Sequence, residues 1–192
     1  MKKQLISRQQ VAGFTLVETL IVMAMVGVLA AVAAPSWLAL MEKQRLNTAQ
    51  DQALRVMRDA QLQAKNQKLC WEASFRDDGT KVEWSTHLPS VATNNCPTVA
   101  PARRWIWNNL AGEDAAKIAI DTSTNLSTTN QPSGAYGIQF QFNGWVNGLP
   151  RKITFKTRNS SSTTKRCVVV STILGAMRTA ENNNCQSAET TD

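Results

Sequence analysis

Residues 13–34 read GFTLVETLIVMAMVGVLAAVAA, and this stretch decides how the rest of the chain can be arranged. From residue 20 to 34 it contains no charged or polar side chain, and before that only Thr15, Glu18 and Thr19 interrupt the apolar pattern. As an α-helix the apolar run is ~32 Å long, which is enough to cross a bilayer. The sequence therefore predicts a membrane-spanning helix close to the start of the chain.

The carboxylate of Glu18 lies inside this apolar run and needs an explanation. A charged side chain at the centre of a membrane helix costs at least ~2.5–3.5 kcal/mol, so such residues usually have a partner. Near the end of a helix, a glutamate can also extend its carboxylate to the membrane interface. Both explanations are open from the residues alone.

A short basic leader ends in Gly13, and the sequence Phe-Thr-Leu-Val-Glu-Thr-Leu follows it. This leader, the motif from Gly13 to Glu18 and the long apolar helix together resemble the beginning of a type IV prepilin. The resemblance implies that a prepilin peptidase cleaves between Gly13 and Phe14 and that Phe14 is then N-methylated. It also implies that the apolar helices of many subunits pack into a helical filament.

The chemistry of Glu18 agrees with this resemblance. Cleavage would create a positive amine on Phe14, which must also be placed in apolar surroundings. In a helical assembly the Glu18 carboxylate of one subunit could reach the Phe14 amine of its neighbour, so that each charge offsets the burial cost of the other. Glu18 would then set the register between subunits, as a single polar residue does in a coiled coil.

An ordinary secretory signal is the alternative interpretation of the same segment. The leader is basic, and Ala31-Val32-Ala33 has the small-x-small pattern of a signal cleavage site. Against it, Glu18 would lie within the hydrophobic region, and Pro35 would lie just beyond the cut. We therefore prefer the prepilin interpretation.

The charge distribution predicts the topology of the chain in the membrane. The formal net charge is +7, and three of these charges, on Lys2, Lys3 and Arg8, belong to the leader. Because basic flanking residues stay on the cytoplasmic side, we expect the leader to face the cytoplasm and the remainder to face the periplasm. That remainder is long enough for one domain with a hydrophobic core.

All four cysteines follow the membrane helix, which places them on the oxidising side. None has the spacing of a zinc site, and four cysteines allow three pairings. Sequence separation favours the pairs Cys70–Cys96 and Cys167–Cys185, and free buried thiols are the alternative.

The fold class expected from these patterns is α+β: a long N-terminal helix packed on an antiparallel β-sheet domain, as in type IV pilins. We assign residues 1–13 to a cleaved leader, 14–35 to a transmembrane and assembly helix, and 36–68 to an amphipathic helix. Residues 69–185 form the β domain and 186–192 a flexible tail. Pro35 is expected to break or kink the helix at the membrane exit. In the amphipathic half, apolar residues recur at spacings of three and four, and this stripe consists of Leu46, Ala49, Ala53, Met57, Ala60 and Ala64.

After the helix, the period of the apolar residues changes to two. The pattern predicts strands over 69–75 and 82–84 around an Asp77-Asp78-Gly79 turn, and short strands at 105–107 and 118–120. Further strands are expected over 136–142, with Asn143-Gly144 as a tight turn, and at 153–155, 167–173 and 176–178. Exposed loops are expected at 86–102, 121–134 and 159–164.

The C-terminal sequences Arg166-Cys167-Val168-Val169-Val170-Ser171 and Gly175-Ala176-Met177-Arg178 are similar to the last strand pair of the GspH/FimT branch of minor pilins and pseudopilins. The resemblance implies a minor type IV pilin or a type II secretion pseudopilin, active in assembly priming or at the filament tip. The partners it implies are other pilin subunits through the N-terminal helix, the prepilin peptidase and the inner-membrane assembly platform. The location it implies is the inner membrane before assembly and the pilus or pseudopilus afterwards.

DNA binding for natural transformation is the alternative function. Some FimT proteins bind DNA through a C-terminal Gly-Arg-x-Arg motif, and the matching positions here keep Arg178 but replace the first arginine with Ala176. Arg103 and Arg104 beside Trp105 and Trp107 could supply phosphate contacts and stacking. The other interpretation is that these tryptophans belong to the core.

We expect no enzyme, no metal and no cofactor. His87 is the single histidine of the chain and is predicted to be a surface loop residue. The Asp77-Asp78-Gly79 segment is predicted to be a plain turn, because too few oxygen ligands lie nearby in the sequence for calcium.

Overall fold

The computed structural model describes residues 13–89, 96, 105–126, 134–146 and 151–185. The leader up to residue 12, Arg103, Arg104 and the tail at 186–192 lie outside the described residues. The chain divides into two compact units, residues 1–40 and 41–192, and α1 (Leu16–Gln67) contributes to both.

In the first unit, every described residue is exposed, including the apolar side chains of the membrane-length run. Among the described residues, α1 is the one helix that is long and apolar enough to cross a membrane. The helix does not end at Pro35. A proline inside a helix removes one backbone hydrogen bond, and the remaining bonds of the helix continue on both sides of it here.

In the second unit, the amphipathic part of α1 buries the predicted stripe. Leu46, Ala49, Ala53, Met57, Ala60 and Ala64 are all fully buried. Four of these six residues are alanines, which allows the helix to approach the sheets closely. The predicted packing of helix on sheet is confirmed. Val56 and Gln50 are buried as well, although neither belongs to the predicted stripe.

The β domain consists of two four-stranded antiparallel sheets. The first has the order β3-β2-β1-β5 and the second the order β4-β6-β7-β8. The strands are β1 (Trp71–Asp77), β2 (Val82–His87), β3 (Asn108–Asn109), β4 (Ile118–Ile120), β5 (Tyr136–Phe140), β6 (Arg151–Thr157), β7 (Lys165–Val170) and β8 (Met177–Glu181).

The core lies between α1 and the sheets, and aromatic side chains from both sheets meet in it. Phe75 on β1 and Phe155 on β6 contact each other edge to face, with ring centroids 6.5 Å apart. Phe140 on β5 is also fully buried. The alternation of Trp71, Ala73 and Phe75 therefore does place these side chains toward the helix, as the period of two predicted.

Several boundaries differ from the sequence-based expectations. Leu69 lies in the turn after α1, and residues 105–107 are irregular rather than a strand. Phe142 and Ile173 lie beyond the ends of β5 and β7 and are exposed by 52% and 58%. Each of these residues lies in a tight turn, one containing Gly144 and the other Gly175. Because the turn begins there, the strand pairing ends before the alternation of apolar residues does.

The loop predicted at 121–134 is not wholly exposed. Asp121 is buried, and its carboxylate accepts hydrogen bonds from the Ser123 backbone and from Lys165. Burial raises the pKa of Asp121, but the hydrogen bonds from Ser123 and the charge of Lys165 lower the pKa more, so the carboxyl group stays ionised. Charged partners on β6 and β7 thus hold the start of this loop against the second sheet.

Candidate functional site

The assembly segment begins with Gly13 and Phe14, which are exposed and precede the helix. The side-chain oxygen of Thr15 accepts a hydrogen bond from the backbone nitrogen of Glu18 at 3.2 Å. Thr15 is therefore the N-cap of α1 and Glu18 the third helical residue, which is the Thr-x-x-Glu pattern of a capping box. This capping signal is visible in the sequence itself, where Glu18 follows Thr15 by three residues.

The position of Glu18 is favourable within a single subunit. A carboxylate in the first turn of a helix interacts with the positive end of the helix dipole, typically by ~0.3–1 kcal/mol. Phe14, which would carry the new amine after cleavage, lies directly before the N-cap. The geometry places both charged groups of the predicted register pair at the same end of the helix.

The apolar side chains that follow have no packing partner within the described part of the first unit. Phe14 is 79% exposed and Leu16 is 75% exposed, and the side chains up to residue 40 are exposed as well. Contiguous apolar surface of this extent indicates contact with a membrane or with other protein chains. This segment is therefore the first candidate functional site.

Two disulfides stabilise the second unit. Cys70 is bonded to Cys96, with Cα atoms 5.6 Å apart, and Cys167 is bonded to Cys185, with Cα atoms 5.9 Å apart. The first connects the segment before β1 to the long connection after β2. The second connects β7 to the 3₁₀ turn that follows β8. These are the two pairings that sequence separation favoured.

His87 is not a surface loop residue, contrary to the sequence-based expectation. It ends β2, is 7% exposed and stacks on Trp105 with ring centroids 3.7 Å apart. Its Nε2 lies 3.0 Å from the Ser74 hydroxyl and its Nδ1 lies 2.8 Å from the Leu88 carbonyl oxygen. Burial lowers the pKa of His87, and the bond to Leu88 offsets only part of this effect.

Ser74 and His87 have the separation of a nucleophile and its base, but the Ser74 side chain is fully buried. It also lies 3.3 Å from the Glu72 carboxylate, so its hydroxyl is part of a polar cluster. Glu72, Ser74 and His87 alternate with the core-facing side chains and so lie on the other face of the first sheet, where Trp105 stacks on His87. The cluster is therefore a structural contact on this face of the sheet.

The tryptophans considered for nucleic-acid stacking already have partners. Trp105 stacks on His87 and lies 5.5 Å from Trp107, measured between ring centroids. The Arg76 guanidinium lies over Trp107, 4.2 Å from the ring centroid. These rings and the guanidinium form one continuous stack. Both tryptophans therefore pack on side chains of the first sheet. Arg103 and Arg104 lie outside the described residues.

Arg178 lies on β8, opposite Val169 of β7, and is exposed. Its Nε donates a hydrogen bond to the Ser171 hydroxyl at 3.2 Å. β8 is at the edge of the second sheet. Arg178 is the second candidate position for contacts with other molecules. It lies on the second sheet, whereas the Trp105–Trp107 stack packs on side chains of the first.

The Asp77-Asp78-Gly79 turn uses its carboxylates within the chain. Asp77 forms an ion pair with Arg158 at 2.6 Å, and Asp78 accepts bonds from Thr80 and from the Lys81 backbone. The hydrogen bond from Thr80 is the main cause that lowers the pKa of Asp78 to about 2. The turn predicted between β1 and β2 is present, and its two carboxylates bond within the chain.

Comparisons with known proteins identify the first of these sites. Residues 8–34 match the prokaryotic N-terminal methylation motif. Among solved structures, the chain is similar to the type IV minor pilin FimU of Pseudomonas aeruginosa in one crystal form, with 16% identity and a TM-score of 0.47, covering 73% of this chain and 92% of that chain. A second crystal form of the same pilin gives 14% identity and a TM-score of 0.43, covering 70% of this chain and 92% of that one. No match was found among curated proteins.

The methylation motif covers the leader end, Gly13, Phe14, Glu18 and the apolar run that α1 presents fully exposed. A long helix packed on antiparallel sheets follows it, as the resemblance implied. The chain therefore begins with the methylation motif of prokaryotic proteins and continues as a long helix that packs on antiparallel sheets.

Proposed function

We propose that this protein is a minor type IV pilin, or the related minor pseudopilin of a type II secretion system, and that it acts as a structural subunit of a filament. The observation that carries the proposal is the assembly segment: a methylation motif that leads into a helix whose apolar side chains are all exposed up to residue 40. A structural subunit needs such a surface, because the filament buries it.

The proposed sequence of events starts in the inner membrane. Lys2, Lys3 and Arg8 keep the leader in the cytoplasm, while the unit 41–192 lies in the periplasm. A prepilin peptidase then cleaves after Gly13, and Phe14 is N-methylated. The assembly platform draws the subunit out of the membrane into the filament, where the helix contacts the helices of neighbouring pilin subunits.

Glu18 gives the subunit its register in this proposal. Glu18 lies in the first turn of α1, where Thr15 caps its backbone nitrogen, four residues after the amine that cleavage would create on Phe14. In the filament, the carboxylate of one subunit neutralises the amine of the next. The disulfide-bonded β domain then presents its surface on the outside, in the priming complex or at the tip.

The direct test is the mature N-terminus. We expect mass spectrometry of the protein from membranes and from sheared filaments to find a chain that begins with N-methylated Phe14. A Gly13→Leu variant should keep its leader and remain in the membrane, while Gly27→Leu, a matched change within the apolar run, should be processed normally. A mature chain that begins at Ala34 or Pro35 would instead identify a secreted soluble protein.

A further inference from the structure

The second unit contains a polar cleft whose side chains take no part in the assembly segment. The cleft has a volume of about 560 Å³ and lies between the part of α1 that follows Met41, the 3₁₀ turn before β4 (Gly112–Lys117) and the loop after β6. We call it the β6 cleft. Its chemistry depends on six of the residues that line it: Glu42, Arg45, Lys117, Thr157, Arg158 and Ser160.

Two cations of the β6 cleft share one carboxylate. The Arg45 Nε and the Lys117 Nζ lie 3.0 Å and 3.1 Å from the same oxygen, Oδ1 of Asp114. One carboxylate balances one of these two positive charges, so the second stays uncompensated. Both side chains are accessible, with 29% of Arg45 and 54% of Lys117 exposed. Together they can donate to one oxyanion that has a single negative charge.

The third cation, Arg158, adds no net charge to the cleft. Its Nη2 forms the ion pair with Asp77, and its Nε and Nη1 donate to the carbonyl oxygens of Ala116 at 3.2 Å and Gly79 at 3.0 Å. The guanidinium thus balances its own carboxylate and connects two turns to the end of β6. Arg158 therefore shapes the wall of the cleft.

The negative charge of the cleft belongs to Glu42. Its carboxylate accepts a hydrogen bond from the Ser160 hydroxyl at 3.5 Å, which is long for such a bond. Glu42 and Arg45 are three residues apart on α1, so their Cβ atoms lie ~5–6 Å from each other. The cleft therefore offers one negative and one positive site side by side. This arrangement matches a small zwitterion whose ammonium and anionic groups are separated by a short chain.

The Thr157 hydroxyl supplies a further reason for a ligand in this cleft. Thr157 lines the cleft, and its buried hydroxyl has no hydrogen-bond partner among the described residues. An unpaired buried hydroxyl is destabilising. A side-chain rotation that brings the hydroxyl to an oxygen of a bound ligand would remove this cost.

The position of Glu42 and Arg45 along α1 matches the headgroup layer of a membrane. Residues 19–41 contain no charged side chain, and Glu42 is the first charged residue after them. As a helix this uncharged stretch is ~34 Å long, slightly more than the ~30 Å hydrocarbon core of a bilayer. A helix that crosses a membrane with this stretch places Glu42 and Arg45 among the lipid headgroups.

Other charged ligands fit the β6 cleft less well than a zwitterionic headgroup. A polyanion such as a nucleic acid would bring phosphates against the Glu42 carboxylate, and contact between like charges is unfavourable. A quaternary ammonium, as in choline, is bound by the faces of aromatic rings. None of the described residues that line this cleft is aromatic. A primary ammonium, which donates hydrogen bonds, fits the Glu42 carboxylate instead.

We infer that the β6 cleft binds the headgroup of a membrane phospholipid whose phosphate diester carries a primary amine. The phosphate contacts Arg45 and Lys117, and the ammonium contacts Glu42. The inference goes beyond filament assembly and rests on the proposed function in one respect, since α1 must be inserted in a membrane. The bound headgroup would hold the second unit at the membrane surface until the subunit is drawn into a filament.

The test measures which lipid the full-length protein retains. The protein in detergent is incubated with phosphatidylethanolamine, phosphatidylcholine or phosphatidylglycerol with the same acyl chains, and bound lipid is counted by native mass spectrometry. We expect phosphatidylethanolamine to bind at least fivefold more tightly than the other two, and excess glycerophosphoethanolamine, but not glycine, to displace it. Equal binding of the three lipids would overturn the inference. Displacement by glycine would assign the cleft to a free amino acid and overturn it as well.

Variants of the cleft provide the second readout. Glu42→Gln and Lys117→Gln should each reduce the amount of bound phosphatidylethanolamine at least fivefold, and Glu42→Gln should also abolish the preference over phosphatidylglycerol. Lys43→Gln, at an exposed position beside Glu42 and outside the cleft, is the matched control. Thermal unfolding of each variant checks that the fold is intact. Binding by both cleft variants that equals the control would contradict the inference.

Carbonate extraction of cells separates this inference from the proposed function. If the full-length protein stays in the membrane fraction but shows no preference for phosphatidylethanolamine, the inference fails alone. If the protein is extracted as a soluble chain, the membrane insertion that the proposed function requires is wrong.

Discussion

At the residue scale, Glu18 has one role within the subunit and a second in the proposed filament, and the two do not compete. Within one subunit its backbone nitrogen is capped by Thr15, and its carboxylate lies in the first turn of α1. Between subunits, the same carboxylate would meet the Phe14 amine. The first role explains why an acid is tolerated at this position, and the second would explain why it lies four residues after the proposed new N-terminus, Phe14.

We predict that Glu18→Val is processed at Gly13 but enters filaments poorly. Removing one partner of a buried charge pair costs ~3–5 kcal/mol because the other charge is left unpaired, so incorporation should fall at least tenfold. Glu18→Gln should behave similarly, while Thr19→Val, which removes a hydroxyl bonded only to the Leu16 carbonyl, should be incorporated normally. Immunoblots of sheared filaments measure this, and normal incorporation of Glu18→Gln would disprove the charge pair.

His87 is the second residue with a testable electrostatic role. It lies among Ser74, Glu72, Leu88 and Trp105, and burial lowers its pKa below the ordinary value of about 6.5. Because the unfolded chain binds this proton more readily than the folded one, stability is complete above about pH 6.5 and decreases as the pH falls below it.

We therefore expect the melting temperature of the purified protein to decrease between pH 7 and pH 5, and this decrease to be smaller in His87→Gln. The carboxyl groups with lowered pKa values, such as Asp78 at about 2, titrate at a lower pH and belong to a separate window. Thermal unfolding followed by circular dichroism over this pH range is the measurement. An unchanged pH dependence in the variant would contradict the role assigned to His87.

At the element scale, α1 is attached to the second sheet by one buried polar side chain. The Gln50 amide donates to the Cys167 carbonyl oxygen at 2.7 Å and to the Ala180 carbonyl oxygen at 2.8 Å. It connects the helix to β7 and β8 at the place where the Cys167–Cys185 disulfide also lies. This explains why a glutamine is buried in an otherwise apolar stripe.

We predict that Gln50→Leu lowers the free energy of unfolding by ~1–3 kcal/mol, because two buried carbonyl oxygens lose a donor. Gln44→Leu, at an exposed position on the same helix, should change it by less than ~0.5 kcal/mol. Urea unfolding of both full-length variants in detergent measures the difference. Equal stability of the two variants would show that these bonds do not anchor the helix.

At the scale of the whole molecule, the two units have different surfaces for different neighbours. The first presents an apolar helix that needs a membrane or other helices around it, and the second is a disulfide-bonded domain with its own core. A filament subunit has to satisfy both requirements, since its helix is buried in assembly while its domain remains outside.

We expect deletion of the gene to strongly reduce the number of surface filaments per cell, as counted by electron microscopy. A plasmid copy of the gene should restore that number. This result would place the protein in the assembly or priming complex. The Gly13→Leu variant should not restore filaments, and Gly27→Leu is its control. Normal filament numbers in the deletion strain would contradict a priming role and direct attention to secreted-protein profiles.

The sequence by itself determined the features that depend on local pattern. The apolar run, the motif from Gly13 to Glu18 and the helical stripe from Leu46 to Ala64 are periodic or contiguous, so burial and helix geometry follow directly from them. The positions of most strands along the chain could be predicted for the same reason, because side chains alternate along each strand.

Only the tertiary structure decided which distant residues meet. The burial of His87 depends on Trp105, which stacks on it, and the burial of Gln50 depends on carbonyl groups more than a hundred residues away. The exposure of Phe142 and Ile173 depends on turns at Gly144 and Gly175 that end the strands early. These contacts arise when helices, strands and loops that are distant in the sequence pack against each other. A local pattern of apolar and polar residues does not specify which of these elements will be neighbours.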